Sequence, residues 1–260
     1  MKVGIIGCGV MGSALAQTIV KNHEVTLYDH KKENAEPLGK KVGAPVATSL
    51  EKLAKGVEVV ILAVKPKDVE KVADDLDPLL QNDTLLLSIL SGTPLQRLKE
   101  LFSNPKIFRL MPNLPILCGK GMIGVVEEEE HLEEDKIKVE KTLKGLGTIT
   151  WFKEPLMNAF IALTGSNPAY IYLIIEAMVE AGISMGFKAA QAQEFILETF
   201  EGAVALLRHS KSLPEELRWR ISSPGGTTIA GLNELEAHNV RYGIIRGIQR
   251  TQEKAQEMES

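Results

Sequence analysis

The sequence predicts an α/β domain with a mostly parallel sheet, followed by an all-α C-terminal half. Up to about residue 152, short apolar runs of β type alternate with amphipathic helical runs, the pattern of strands joined by crossover helices. Past Glu154 the β-type runs stop, and long stretches with helical spacing follow. A glycine-rich turn, Gly7, Gly9 and Gly12, stands where the first strand passes into the first helix.

Taken in order, the expected strands are Val3 to Ile6, Glu24 to Tyr28, Val57 to Val64, Thr84 to Ile89, Ile107 to Leu110, Gly121 to Val126 and Thr148 to Trp151. Several are apolar at consecutive positions, as expected when helices cover both faces of a sheet. The acidic run Glu127 to Glu130, continuing through His131 to Asp135, reads as a solvated helix start whose carboxylates favour the positive end of the dipole. Three long helices are expected, at Pro168 to Met185, Ala189 to His209 and Glu234 to Glu257. The first is apolar nearly all round, which places it inside a helical assembly and suggests a dimer. The expected domains are therefore 1–152, binding a cofactor, and 153–260, helical.

An apolar fraction of 44% and a charged fraction of 25% over 260 residues are those of an ordinary globular chain, not of a disordered, collagen-like or repeat protein. A formal net charge of −4 gives no broad basic field, so nucleic acid is not the expected partner and a small molecule is. Cys8 and Cys118 are too few for a disulfide framework and lack metal-ligand spacing, which predicts a reducing compartment. The five histidines, His23, His30, His131, His209 and His238, fit neither a metal spacing nor a catalytic triad, so no metal is expected. The first strand follows Met1 directly, which leaves no room for a leader and predicts a cytoplasmic protein. The apolar stretch Pro168 to Ile175 falls well short of the ~20 residues needed to span a bilayer.

Gly7, Gly9 and Gly12 form G-x-G-x-x-G between a strand and a helix whose apolar positions Met11, Leu15 and Ile19 recur every four residues. The first glycine permits a tight turn, the second lets a phosphate approach the backbone, and the third lets helix and strand pack closely. Free N–H groups at that helix start, including those of Val10 and Met11, would hold a pyrophosphate. Asp29 stands about twenty residues on, at the end of the second strand, where a carboxylate binds the adenine ribose. These features predict a Rossmann-type domain for NADPH or NADH. Asp29 favours NADH, whereas His30, Lys31 and Lys32 could neutralise the extra phosphate of NADPH, and the two stay open. Cys8, inside the loop, reads as a small residue that fits rather than a reactive thiol.

Ser223 to Thr228 offers a second helix start suited to an anion. Pro224 fixes the chain, Gly225 and Gly226 allow close backbone approach, a threonine hydroxyl can cap the helix, and free N–H groups face a substrate carboxylate. Lys65 and Pro66 follow a long apolar strand at the C-terminal edge, where open α/β sheets place ligands, and Pro66 biases Lys65 toward an extended backbone.

Four segments, AVKP at Ala63 to Pro66, MPNLP at Met111 to Pro115, GSNPAY at Gly165 to Tyr170 and SPGGTT at Ser223 to Thr228, resemble in order and spacing those of the pyrroline-5-carboxylate reductase family. The likeness runs over essentially the whole chain. It implies reduction of 1-pyrroline-5-carboxylate to L-proline with NADPH or NADH. It assigns the imine nitrogen to Thr228, with Ser223, Gly225, Gly226 and Thr227 around the carboxylate. It adds Ala63, Val64, Lys65, Pro66, Ser91 and Asn113 to the glycine loop as cofactor contacts. It also implies intertwined homodimers, able to assemble further, with the substrate motif near the subunit interface. Such chemistry needs no catalytic His or Cys, because a protonated imine has only to be oriented and electrostatically matched.

Leu114, Asn167 and the pair Leu90 and Ser91 depart from the family pattern of threonine, glycine or serine, and two alanines, which leaves a related cyclic imino acid open as substrate. A second reading is another NAD(P)-dependent imine or hydroxyacid reductase on the same architecture. It would call for a catalytic lysine on the helical half, with Lys188 and Lys211 as candidates. A third is a non-catalytic dinucleotide sensor, against which the intact Thr227 and Thr228 argue.

Overall fold

The structure, a computed structural model, describes residues 1–259. The chain separates into two compact units, Met1–Ser166 together with the segment from Thr251 on, and Asn167–Arg250.

The first unit is built on seven strands: β1 (Lys2–Ile6), β2 (Glu24–Tyr28), β3 (Val59–Leu62), β4 (Leu85–Ser88), β5 (Lys106–Pro112), β6 (Gly121–Val126) and β7 (Gly147–Phe152). They lie in the order β2-β1-β3-β4-β5-β6-β7. Every neighbouring pair is parallel except β5 and β6. All seven expected strands are present, β2 and β6 with the expected bounds and the others with one or both ends displaced by a residue or two. The helices of this unit are α1 (Val10–Ile19), α2 (Lys32–Val42), α3 (Leu50–Ala54), α4 (Val69–Leu76), α5 (Leu95–Leu101), α6 (Glu133–Thr142) and α7 (Met157–Phe160).

Alternate strand residues supply two separate cores. Val3, Ile5, Val25, Leu27, Val59, Ile61, Leu85, Leu87 and Phe108 share one with Leu15 and Ile19 of α1 and Val139 of α6. Ile6, Val60, Leu62, Leu86 and Ile107 share the other with Leu53, Val69, Leu76 and Leu98 of α3, α4 and α5. Side chains alternate faces along a strand, so a sheet buried on both sides demands apolar residues at consecutive positions, and β3 and β4 provide them. The chain leaves β1 to one side for β2 and returns to the other side for β3, which makes the C-terminal edge between β1 and β3 a topological switch point.

The acidic run is less solvated than its composition suggests. Glu133, Glu134 and Asp135 do occupy the first turn of α6. Yet the Asp135 side chain is buried and takes Lys106 Nζ at 2.7 Å, Lys99 pairs with Glu128 and Glu130, and Lys136 pairs with Glu127. Charge alone could not reveal the cations supplied by α5, β5 and α6.

The compact units do not divide at 152/153, where the β-type runs end. After β7, α7 and a π-helical turn, Ile161–Gly165, still belong to the first unit, because Met157 and Ile161 are buried in its second core. Ala255, near the C-terminus, is buried in the same core.

The second unit contains α8 (Asn167–Ser184), α9 (Ala189–Ser210), α10 (Pro214–Arg220), α11 (Thr227–Ala237) and most of α12 (Val240–Glu257). The helix expected at Glu234 to Glu257 is broken in two at His238 and Asn239, where Asn239 adopts φ +56°, a left-handed conformation that ends a helix and that asparagine tolerates. α8 and α9 form a hairpin so close that a Cβ on Gly182 would lie 2.9 Å from Ala192 Cβ. Among residues 167–250, Gly182 and Ala192 alone are buried, so α8, expected in an interior, has its apolar faces open within this single chain.

Candidate active site

The glycine turn closes over the switch point. Gly7 stands at φ +99°, and a Cβ there would fall 2.4 Å from the Ala63 carbonyl oxygen. At Gly12 a Cβ would fall 1.9 Å from Gly7 O, whereas at Gly9 nothing lies within 4 Å. Two of the three glycines are required by backbone packed against them, and the middle one opens onto free space. α1 starts at Val10 with Gly9 as its N-cap and no side-chain cap. The first helical bond runs from Ser13 N to Gly9 O at 2.8 Å. The N–H groups of Val10, Met11 and Gly12 have no acceptor among the described residues. Free amides, a helix dipole and open space above Gly9 fit a phosphate group.

Asp29 directly follows β2. Its side chain is only 6% exposed. Oδ2 accepts from Cys8 N–H at 2.8 Å, while Oδ1 accepts from Lys31 N–H at 2.9 Å and Asn34 Nδ2 at 3.3 Å. The carboxylate braces the glycine turn against the end of β2. His30 and Lys31, on the same turn, are exposed. Cys8 is buried, and burial, seconded by the nearby Asp29 charge, pushes its thiol up to about 12. It is a protonated filler, as expected.

Ala63 to Pro66 leave β3 at the same edge. Ala63 N–H donates to Ile6 O at 2.8 Å, Val64 is half-buried, and Lys65 is extended (φ −73°, ψ 144°) and exposed before a 3₁₀ turn that begins at Pro66. Ser91 follows β4 at this edge, between the buried Leu90 and Gly92.

Asn113 also lies here, but its amide is committed within the unit. Oδ1 accepts from Met122 N–H at 2.8 Å, and Nδ2 donates to Thr164 O at 2.9 Å. It ties the end of β5 to the start of β6 and to the π-helical turn. The Asn113 bridge could not be read from sequence, because tertiary structure selects its partners, Met122 nine residues on and Thr164 fifty-one residues on.

In the helical unit, Ser223 to Gly226 form a tight turn with Gly226 N–H donating to Ser223 O at 3.0 Å. Pro224 and then Gly225 at φ +68° occupy its middle, the arrangement of a type II turn. A Cβ on Gly226 would fall 2.3 Å from Ser223 Oγ, so the hydroxyl occupies the space that a side chain would need. The expected threonine cap is absent. Gly226 is the N-cap of α11, with no side-chain hydrogen bond, because the turn carries the threonines one step too far into the helix. Thr227 and Thr228 are its first two residues, and their hydroxyls make no hydrogen bond among the described residues. The first helical bond is Ala230 N to Gly226 O at 3.3 Å, which leaves the N–H groups of Thr227, Thr228 and Ile229 without acceptors among the described residues. Losing the cap frees the hydroxyls for a ligand.

Lys188 and Lys211 are exposed at the two ends of α9, neither of them in this turn. No group of three metal-ligating side chains occurs among the described residues, and no described helix is long and apolar enough to cross a membrane.

A glycine turn with free amides at the switch point of a doubly wound sheet, followed by a helical unit, defines a nicotinamide-dinucleotide oxidoreductase architecture. Residues 2–92 match the family described as NADP oxidoreductase coenzyme F420-dependent, and residues 154–258 match pyrroline-5-carboxylate reductase dimerisation. The chain is 34% identical to the pyrroline-5-carboxylate reductase of Aquifex aeolicus, over 99% of this chain and 97% of that one. The solved pyrroline carboxylate reductase of Plasmodium falciparum, with NADP bound, superposes with a TM-score of 0.91 at 31% identity, covering 100% of this chain and 98% of that one. That of Streptococcus pyogenes gives 0.89 at 32% identity, with coverage of 99% and 98%. The chain belongs to the pyrroline-5-carboxylate reductase family, oxidoreductases acting on a C=N bond.

Proposed function

We propose that this protein reduces 1-pyrroline-5-carboxylate to L-proline, taking hydride from NADPH or NADH. The observation that carries the reading is the presence of two anion cradles, at residues 9–12 and 226–229, whose amides are left unsatisfied among the described residues. Backbone N–H groups at helix starts bind phosphate or carboxylate without further machinery.

The amides of Val10, Met11 and Gly12 hold the pyrophosphate, and Gly9 lets it approach. His30 and Lys31 lie toward the adenine ribose, while Ala63 to Pro66 and Ser91 line the path toward the nicotinamide. When bound, the reduced nicotinamide supplies a hydride to the carbon of the C=N bond. Thr227 and Thr228 N–H groups and the Ser223 hydroxyl hold the substrate carboxylate, and Gly225 and Gly226 permit the close approach. The Thr228 hydroxyl accepts a hydrogen bond from the protonated ring nitrogen and fixes the imine plane. The proton is already in place, so orientation is the main task of the protein. The α/β unit thus serves the cofactor, and Asn167–Arg250 serves the substrate and the homodimer, from which larger assemblies can be built. The two free cysteines fit a reducing compartment, the cytoplasm.

Cofactor absorbance, followed with purified protein, 1-pyrroline-5-carboxylate and each nucleotide in turn, tests the reading. Thr228→Ala removes one hydrogen bond to a charged group, so kcat/KM is expected to fall about tenfold to a hundredfold. Absence of turnover with both nucleotides would overturn the activity. Full activity in Thr228→Ala would remove the orienting role alone.

A further inference from the structure

Arg109 is fully buried in the middle of β5, its side chain 1% exposed, in register with Ser88 of β4. A buried guanidinium must be paired. Glu154 meets it at 2.6 Å through Oε1, and the same oxygen accepts from the N–H of Leu95, the first residue of α5, at 2.7 Å. Glu259, at the far end of the chain, meets the other guanidinium nitrogen at 2.5 Å through Oε1, while its Oε2 accepts from Asn158 Nδ2 at 2.6 Å. Glu154 alone balances the charge of Arg109. What Glu259 adds is a fixed place for the segment that follows α12.

That place matters because of what lies against it. Gly92 adopts φ +73°, and a Cβ there would fall 3.0 Å from Met258 O and 3.3 Å from Met258 Cβ. The loop from β4 to α5 therefore packs at Gly92 against the backbone of Met258 and is hydrogen-bonded at Leu95 to Glu154, with Arg109 connecting the two supports. Ser91, a proposed cofactor contact, immediately precedes Gly92.

We infer that Met258 and Glu259 are positioning residues for the cofactor: locked onto Arg109, they hold the loop carrying Ser91 in its binding conformation. The inference rests on the cofactor reading above. A loop whose support is removed must be ordered again by the ligand, so the loss appears in nucleotide affinity.

The test compares full-length protein with Glu259→Gln, Glu259→Asp and a chain ending at Glu257, by fluorescence titration with NADPH and NADH, steady-state kinetics and thermal melting. The truncated chain is expected to bind its nucleotide about tenfold more weakly, with kcat at saturating nucleotide and KM for the imino acid close to those of the full chain. Glu259→Gln should fall between the two, and Glu259→Asp should recover part of the loss. Unchanged nucleotide affinity in the truncated chain would overturn the anchor and leave the cofactor reading intact. So would an equal loss in kcat and both KM values that tracks the melting temperature, since that marks simple destabilisation. Full-length protein binding neither nucleotide would overturn the cofactor reading, and the anchor with it.

Discussion

The two units solve the problem of apolar surface in opposite ways. The α/β unit buries both faces of its sheet under its own helices, in two cores that share no side chain. The helical unit buries Gly182 and Ala192 and leaves Tyr172, Leu173, Met185, Phe195, Trp219 and Ile221 exposed. Apolar faces on that scale mark an interaction surface. One anion cradle therefore stands on a finished scaffold, and the other on a unit that gains its core from outside. A second copy of the chain is the proposed source, and the match of residues 154–258 to a dimerisation family supports it.

The comparison breaks first if the glycine turn is not as rigid as its surroundings demand. Gly12→Ala drives a Cβ into the Gly7 carbonyl at 1.9 Å, backbone against backbone, and overpacking of that kind costs about 3 kcal/mol. A fall in melting temperature with loss of nucleotide binding is the expected outcome. Gly9→Ala meets nothing within 4 Å, so its melting temperature should stay that of the parent while nucleotide affinity alone suffers. If both variants melted alike, the division of labour among the three glycines would be wrong.

A second experiment addresses the helical unit. Leu173→Glu places a charge on an exposed face of α8, where a monomer would tolerate it within about 0.5 kcal/mol. In a dimer that buries this face the same charge is desolvated, at a cost of several kcal/mol. Sedimentation should show the parent as a dimer and the variant shifted toward monomer, with reduced helicity by circular dichroism. An assembly state unaltered by the charge would move the interface away from this face of α8.

How much of this could be read in advance divides along the same line. The strands and the glycine turn were legible because both rest on local pattern: consecutive apolar residues for a doubly covered sheet, and three glycines at the spacing of a strand-to-helix turn. The turn at Ser223 to Gly226 was legible for the same reason, with Pro and Gly at its centre. The contacts that the sequence did not reveal are long-range. Asp29 bracing Cys8, Asn113 holding Thr164 and Glu259 reaching Arg109 each depend on a partner that tertiary structure selects. Arg109 alone gave a warning, as a charge in an otherwise apolar strand, and a buried charge implies an acid somewhere. The break at Asn239 was missed because helical spacing continues through it. Asparagine's tolerance of the left-handed region is the signal that could have marked it.

The smallest expected effect sharpens the claim that the α/β unit stands on its own chain. His131 stacks on Phe108 with ring centroids 4.0 Å apart, accepts from Glu128 N–H through Nδ1 at 3.3 Å, and meets Ile107 O through Nε2 at 3.1 Å. An N–H donor at Nδ1 and a carbonyl at Nε2 require the neutral ring with its proton on Nε2. Burial lowers its pKa from the ordinary 6.5, and Lys99 and Lys136 act in the same direction, against the Ile107 carbonyl and Glu128. The unfolded chain therefore binds this proton more readily than the folded one. The stabilisation is fully present above 6.5 and is lost as pH falls from there through the lower folded value. Urea midpoints measured between pH 8 and pH 5 should decline over that window in the parent. In His131→Gln the decline should be weaker, from a lower starting stability. Because every group involved lies in the α/β unit, the slope should not change with protein concentration, whereas unfolding coupled to dimer dissociation must. A slope that steepened on dilution would mean that the α/β unit also depends on its partner, and the contrast between the two units would fail.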